Sequence, residues 1–253
     1  MRRICIINQK GGVGKTTTTI NLGAGLSRND RKVLIIDLDA QGNINSSLNL
    51  ESYKDIFEFL FENAELNECI ARAGKNLDII RSKETLTKSE VILSKENEKE
   101  FILRNKLKSL SGYDYVLVDC PPSLGLLNQN AMLFADEAII PASTDYLGFD
   151  ALKKMVKAIR EINKHFDHSL KITKIIPTMF DKRNKLSHQM LKEMQNEFYE
   201  LMADPIGTNS KLRECPLAKM SIFTYDKSSK GAKDYEKLVK SVLRDENKYS
   251  KKK

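Results

Sequence analysis

The stretch NQKGGVGKTTTT, residues 8–19, constrains this chain more than any other. It follows a short apolar run, ICIIN (4–8), and its Gly14-Lys15-Thr16 close a phosphate-binding loop of the form G-x-x-x-x-G-K-[ST]. A loop of this kind joins a β-strand to a helix, so an α/β sheet is expected. Glycines let backbone N–H groups turn toward phosphate oxygens, and the helix that follows adds the partial positive charge of its N-terminus. Within the pattern, Lys15 is expected to bridge the β- and γ-phosphates. Thr16 offers its hydroxyl to Mg²⁺, and Thr17 lies near the α-phosphate. One position departs from the pattern. Where the first glycine belongs the chain has Gln9, followed by a second lysine, Lys10, ahead of Gly11, Gly12 and Val13.

Short apolar runs alternate with helical patterns along the rest of the chain. VLIID (33–37), LDII (77–80), YVLVD (115–119), EAIIPA (137–142) and ITKIIPTM (172–179) read as further strands. Their lack of apolar/polar alternation suits strands covered on both faces. Leu152, Met155, Val156, Ile159 and Ile162 recur at helical spacing, as do Tyr235, Leu238, Val239, Val242 and Leu243. The polar stretch 82–110 reads as surface helices. No internal repeat or linker interrupts the pattern. The expectation is one P-loop NTPase domain over 1–247, an α/β fold with a mostly parallel sheet flanked by helices on both faces. A basic, disordered tail is expected over 248–253.

A phosphate loop needs carboxylates to hold a metal ion and arrange water. VLIIDLDAQGN supplies Asp37 and Asp39, and YVLVDCPPS supplies Asp119, each at or just beyond a strand's carboxyl end. Ligands of open α/β sheets collect at that edge. Asp37 and Asp119 are therefore candidate metal ligands with Thr16, and Asp39 is the candidate to orient an attacking water.

Other features set limits. Cys5, Cys69, Cys120 and Cys215 are scattered without a C-x-x-C pair, which argues against a disulfide framework or a zinc site. No apolar run approaches the ~20 residues that span a bilayer, and the four apolar residues after MRR are too few for a signal-peptide core. A cytoplasmic protein is expected. The net charge of +8 suggests a polyanionic partner.

Taken in order, KGGVGKTTT (10–18), VLIIDLDAQGN (33–43), YDYVLVDCPPSLGLL (113–127) and the more diffuse TMFDKRN (178–184) resemble the ParA/Soj partition ATPases. These belong to the deviant phosphate-loop group that includes septum-positioning ATPases. The resemblance covers nearly the whole chain and implies an Mg²⁺-dependent ATPase that is slow without its partner. It implies a nucleotide-sandwich homodimer in which Lys10 reaches the partner's phosphates while Lys15 acts in cis, with Gly12 at the closest approach of the two chains. Lys10, Lys15 and Asp39 are then the catalytic set. Lys10, Gly11, Gly12, Val13, Gly14, Lys15, Thr16, Thr17, Met179 and Asn209 hold the nucleotide, Asn209 at the adenine edge.

The same resemblance implies nonspecific double-stranded DNA binding through Arg183, Lys211 and Lys230, and nucleoid association in the ATP state. It also implies a ParB-type centromere-binding partner that stimulates hydrolysis. Ala40 stands where the family commonly has proline, and Thr208 and Lys211 stand where it carries basic residues. No helix-turn-helix extension precedes the loop, so operator-specific repression is not expected. Two alternatives remain: a membrane-cycling septum-positioning ATPase, or a nucleotide-gated positioning scaffold for another cargo. The polar ending RDENKYSKKK lacks the apolar face that membrane cycling needs.

Overall fold

Strand β1 (Arg2–Ile6) lies inside the sheet and feeds the phosphate loop directly into helix α1 (Lys15–Ser27). The computed structural model describes the backbone of residues 1–250 and the side chains of residues 1–246. The chain continues through β2 (Val33–Asp37), α2 (Asn43–Leu48), α3 (Ile56–Phe61), α4 (Leu66–Cys69), β3 (Ile70–Gly74) and β4 (Leu77–Ile80). Next come α5 (Ser89–Leu93), α6 (Ile102–Lys106), β5 (Tyr115–Asp119), α7 (Leu126–Phe134), β6 (Glu137–Ser143) and α8 (Tyr146–Phe166). The last elements are β7 (Lys171–Thr178), α9 (Lys185–Phe198), α10 (Ser210–Glu214), α11 (Ile222–Tyr225) and α12 (Lys230–Ser250). The tail expected over 248–253 lies outside the residues whose side chains are described.

The described strands form one seven-stranded sheet in the order β3-β4-β2-β5-β1-β6-β7. Six strands run parallel, and β3 pairs with β4 antiparallel. The mostly parallel α/β fold read from the sequence is thus observed, with two corrections. β1 starts and ends two residues earlier than ICIIN, because Arg2 and Arg3 join the ladder opposite Tyr115 and Val116. β3 is absent from the strands read in the sequence. Its sequence IARAG offers little apolar signal, and a register shift between Arg72 and Gly74 interrupts its pairing.

Alternating side chains of the central strands fill two separate cores, one on each face of the sheet. Cys5, Leu34, Val116 and Ile140 pack with Leu152, Met155 and Ile159 of α8 on one face. Ile4, Ile35, Leu117 and Ile139 pack with α1, α11 and α12 on the other, including Tyr235, Leu238, Val239 and Val242. Both stripes read from the sequence are therefore core faces, with Ile162 and Leu243 only partly buried at their ends. In the stretch 82–110, Leu86, Leu93, Leu103 and Leu107 are buried, so its short helices cover a core rather than lie free on the surface. Among the described residues no helix is long and apolar enough to cross a membrane, and all four cysteines are free and buried.

Candidate functional site

Strand register assembles the site. Asp119 pairs with Ile6 of β1 on one side and with Asp37 of β2 on the other, so both carboxylates reach the sheet edge beside the loop leaving β1. Asn8 pins that loop: its Nδ2 donates to the Pro141 carbonyl at 2.7 Å, and its Oδ1 accepts from the Lys10 N–H at 3.0 Å. Thr178, at the end of β7, donates to the Val13 carbonyl at 2.8 Å. Gly12 and Gly14 have φ of 70° and 88°, the left-handed region that side chains disfavour. Gly14 caps α1 without any side-chain hydrogen bond, and the first turn carries no acidic residue. The N-terminal N–H groups of this helix thus keep no protein anion, which is what a phosphate cradle requires.

Lys15 is 6% exposed, with its Nζ 3.4 Å from the Lys10 carbonyl oxygen. Burial lowers its pKa, opposed by the charges of Asp119, Cys120 and Asp39 around it. Asp37 and Asp119 are fully buried. Burial, and then the neighbouring Asp119 charge, pushes the Asp37 pKa well up; burial pushes Asp119 up to about 6, with the hydroxyls of Thr16 and Thr19 working against it. Thr19 donates to Asp119 Oδ1 at 2.9 Å, and Asp37 Oδ1 accepts from the Asp39 N–H at 3.0 Å. The second oxygen of each carboxylate, Oδ2, is buried without a hydrogen-bond partner. Two orphaned carboxyl oxygens beside Lys15 and Thr16 fit a hard divalent cation. Among the described residues no group of three or more His, Cys, Asp or Glu forms a metal cage. The fit is to Mg²⁺, which keeps waters and substrate phosphates in its shell.

Asp39 is 8% exposed. Its carboxylate accepts from the Gln41 N–H at 3.0 Å and so shapes the turn into α2. Ser82 donates from its hydroxyl to the Asp39 carbonyl at 2.5 Å. Ser82 and Thr19 are site residues that the sequence did not disclose. Each has a role that depends on a contact between distant segments, Thr19 with Asp119 and Ser82 with Asp39.

The two loop lysines have different surroundings. Lys15 lies under the loop, whereas Lys10 stands at its rim, its Nζ held by Asp145 Oδ1 and Oδ2 at 2.8 and 3.0 Å and by Ser143 Oγ at 3.0 Å. Gly11 and Gly12 are exposed, with open space wherever a Cβ would project. Thr16 and Thr17 are half-buried in the first turn of α1. Met179 follows Thr178 directly, is 48% exposed and has φ 55°, a conformation costly for a non-glycine residue. The Thr208 hydroxyl donates to the Met179 carbonyl at 3.1 Å. Asn209 caps α10, its Oδ1 accepting from the Lys211 N–H at 2.8 Å, which leaves Nδ2 as its remaining polar group.

Arg183, Lys211 and Lys230 converge on one corner, because Phe180 and Gly207 form a bridge and Lys230 Nζ lies against Gly207. Arg183 pairs with Asp181 at 3.2 Å and Lys211 with Glu214 at 2.9 Å. These are exposed pairs of little strength, so a stronger anion displaces them easily.

A family model described as an AAA domain matches residues 1–172. The chromosome partitioning protein ParA of Myxococcus xanthus is 37% identical over 249 residues, 96% of this chain and 88% of that protein. The sporulation initiation inhibitor protein Soj of Bacillus subtilis is 36% identical over 245 residues, 94% of this chain and 97% of that one. Among solved structures, a plasmid partition protein from Borrelia burgdorferi bound to AMPPNP superposes with a TM-score of 0.83 at 29% identity, covering 96% of this chain and 98% of its own. The cobyrinic acid a,c-diamide synthase of Mycobacterium smegmatis, with bound ADP and magnesium, also gives 0.83 at 29% identity, covering 98% and 96%.

Proposed function

Because the chain belongs to the ParA/Soj family of partition ATPases, we propose that it is an ATP-gated DNA-partition switch. It dimerises on Mg²⁺-ATP, binds double-stranded DNA without sequence preference, and hydrolyses ATP when a ParB-type partner engages the dimer. The observation that carries this reading is the division of labour between the lysines. Lys15 is buried beneath the phosphate loop, while Lys10 stands outside it, bound to Asp145 at 2.8 Å beside the exposed Gly11–Gly12. A cation so placed suits a neighbouring chain's triphosphate, where it acts as an arginine finger does.

Asp37, Asp119 and Thr16 hold Mg²⁺, which when bound neutralises charge building on the phosphoryl oxygens. The residues supply the rest. Lys15 and the N–H groups of the loop orient the triphosphate, and Asp39 holds the attacking water. Met179 and Asn209 flank the base. Arg183, Lys211 and Lys230 meet DNA phosphates, an interaction that is independent of sequence and weakens steeply with salt. Two such corners in one dimer raise avidity without any new surface, so loss of the γ-phosphate releases the protein from DNA.

The test is duplex DNA retention with ADP, ATP and AMPPNP at matched salt, followed by ATP turnover with and without a ParB-type protein. Retention only with the triphosphates and faster turnover with the partner are expected. Retention that ignores nucleotide overturns the switch.

A further inference from the structure

Beyond Lys230 at its start, the outer face of α12 is not used by any role assigned so far. Its inner face is apolar and buried through Tyr235, Leu238, Val239 and Val242. The exposed positions before residue 247 are Lys230, Lys233, Glu236, Lys237, Lys240 and Arg244. Glu236, the one acid among them, is neutralised by Lys240 at 2.9 Å. Lys233, Lys237 and Arg244 have no ion-pair partner among the described residues, unlike Arg183 and Lys211, which pair with acids. The steps from Lys233 to Lys237, Lys240 and Arg244 are four, three and four residues, which puts all four on one helix face over roughly 16 Å.

This face is also the wall of a cleft. Lys237, Lys240 and Arg244 line a cavity of about 590 Å³ whose opposite side is the segment Met202–Asp204. That segment is fixed to the sheet edge by a bridge from Met202 to Ile175 and by the Ala203 N–H donating to the Ile175 carbonyl at 2.8 Å. Among the described residues Asp204 is the only acid lining the cleft; Asp245 nearby is engaged by Lys174 at 2.7 Å. At its first residue the helix touches the corner that carries Arg183 and Lys211, through Lys230 against Gly207. Further along it meets the amino-terminal end of the interior strand β1, where Arg2 donates to the Val242 carbonyl at 2.8 Å. The cationic corner therefore continues as a strip along the exposed face of α12.

The geometry points to this strip as a second phosphate-binding surface for duplex DNA, with Lys233, Lys237, Lys240 and Arg244 following one sugar-phosphate strand away from the Arg183 corner. It rests on the DNA-binding reading above and extends the footprint beyond it. Duplex DNA carries one phosphate per ~3.4 Å of axis on each strand, so a strip of roughly 16 Å runs alongside several phosphates. A lipid surface fits less well. The exposed face has no Leu, Phe or Trp to bury in a membrane among the described residues, and such helices hold peripheral proteins by apolar insertion.

The test compares wild type, the triple variant Lys237→Gln/Lys240→Gln/Arg244→Gln and the single variant Arg183→Glu. Each is titrated with a 60-base-pair duplex in Mg²⁺-AMPPNP across a salt series, and with phosphatidylglycerol vesicles. The exposed glutamines keep the fold, which unchanged AMPPNP-dependent dimerisation verifies. The triple variant is expected to bind DNA about tenfold or more weakly, with the salt slope reduced by about one for each phosphate that no longer meets a cation. Wild-type affinity and slope in the triple variant, alongside weakened Arg183→Glu, overturn the strip and leave the DNA reading intact. No DNA retention by wild type overturns both. Vesicle binding abolished by the triple variant with DNA binding unchanged assigns the strip to lipid and overturns the proposal.

Discussion

Lys10 and Asp145 are joined within one protomer, Nζ to Oδ1 at 2.8 Å, across 135 residues of sequence. The same Oδ1 accepts from the Gly148 N–H at 2.8 Å, so Asp145 caps α8 while it holds the lysine. Burial would raise the Asp145 pKa, but the hydrogen bonds from Lys10, Ser143 and Gly148 outweigh it and hold the carboxyl below its ordinary value. On the function proposed above, the lysine that would reach a neighbouring chain's phosphates begins on a carboxylate of its own chain, and dimerisation would first exchange one anion for the other.

Asp145→Asn tests that exchange. Asparagine caps a helix as aspartate does, so α8 stays intact while the charge holding Lys10 is removed. The pair is partly exposed, with side chains 28% and 46% accessible, and such pairs are worth about 0.2–1 kcal/mol. Since the homodimer would release two such pairs, the variant's ATP dimer is expected to tighten by up to about 30-fold in sedimentation equilibrium. Weaker dimerisation with intact folding would show that Asp145 helps the dimer instead.

Lys15→Ala removes the buried cation beneath the loop. A hydrogen bond to a charged group contributes about 1.5–3 kcal/mol, so AMPPNP affinity measured by calorimetry is expected to fall about 10- to 100-fold. Unchanged affinity would exclude Lys15 from the phosphate site.

Asp39→Ala keeps the backbone N–H that donates to Asp37 Oδ1 and removes only the carboxylate accepting from Gln41. Nucleotide binding is expected to persist, single-turnover hydrolysis to fall by roughly 10²-fold, and the ATP dimer to become long-lived. Wild-type hydrolysis would remove Asp39 from the chemistry.

Asp119 gives the pH dependence. Its pKa in the nucleotide-free fold is pushed up to about 6 by burial, and a metal ion needs it ionised. Mg²⁺-dependent nucleotide affinity is expected to fall by tenfold or more per pH unit below pH ~6, as protons compete for Asp119 and for its neighbour Asp37, whose carboxyl is also pushed up. Without nucleotide, the folded state binds the extra proton between the ordinary carboxylate range and about 6. Its stability therefore declines as pH rises through that window. An affinity flat from pH 5 to 7 would contradict this.

Gly25 of α1 lies so close to α12 that a Cβ there would collide with Val239 and press on Phe223. Gly25→Ala overpacks this core and is expected to cost about 1–3 kcal/mol, lowering the melting temperature by about 2–4 °C per kcal/mol in a chain of this size. A raised melting temperature would show the two helices are free to part.

The sequence disclosed what local pattern controls. VLIID, LDII, YVLVD and EAIIPA begin where their strands begin, because both-face burial produces unbroken apolar runs. The loop residues and Asp37, Asp39 and Asp119 were legible because glycine spacing and strand ends fix their places. β3 was not, since an antiparallel edge strand with Arg72 exposed carries no such run. Neither were Ser82, Thr19 or Asp145. Their hydrogen bonds to Asp39, Asp119 and Lys10 exist only once the sheet has brought segments 43, 100 and 135 residues apart together.

The most direct test of the account is the solution mass of the protein with Mg²⁺-AMPPNP, measured by light scattering after size exclusion, for wild type and Lys10→Ala. Wild type is expected at twice the 28.8 kDa of one chain, and the variant, binding nucleotide as well as wild type, at the mass of a single chain. A wild-type protein that stays monomeric, or a Lys10→Ala protein that dimerises equally well, would contradict it.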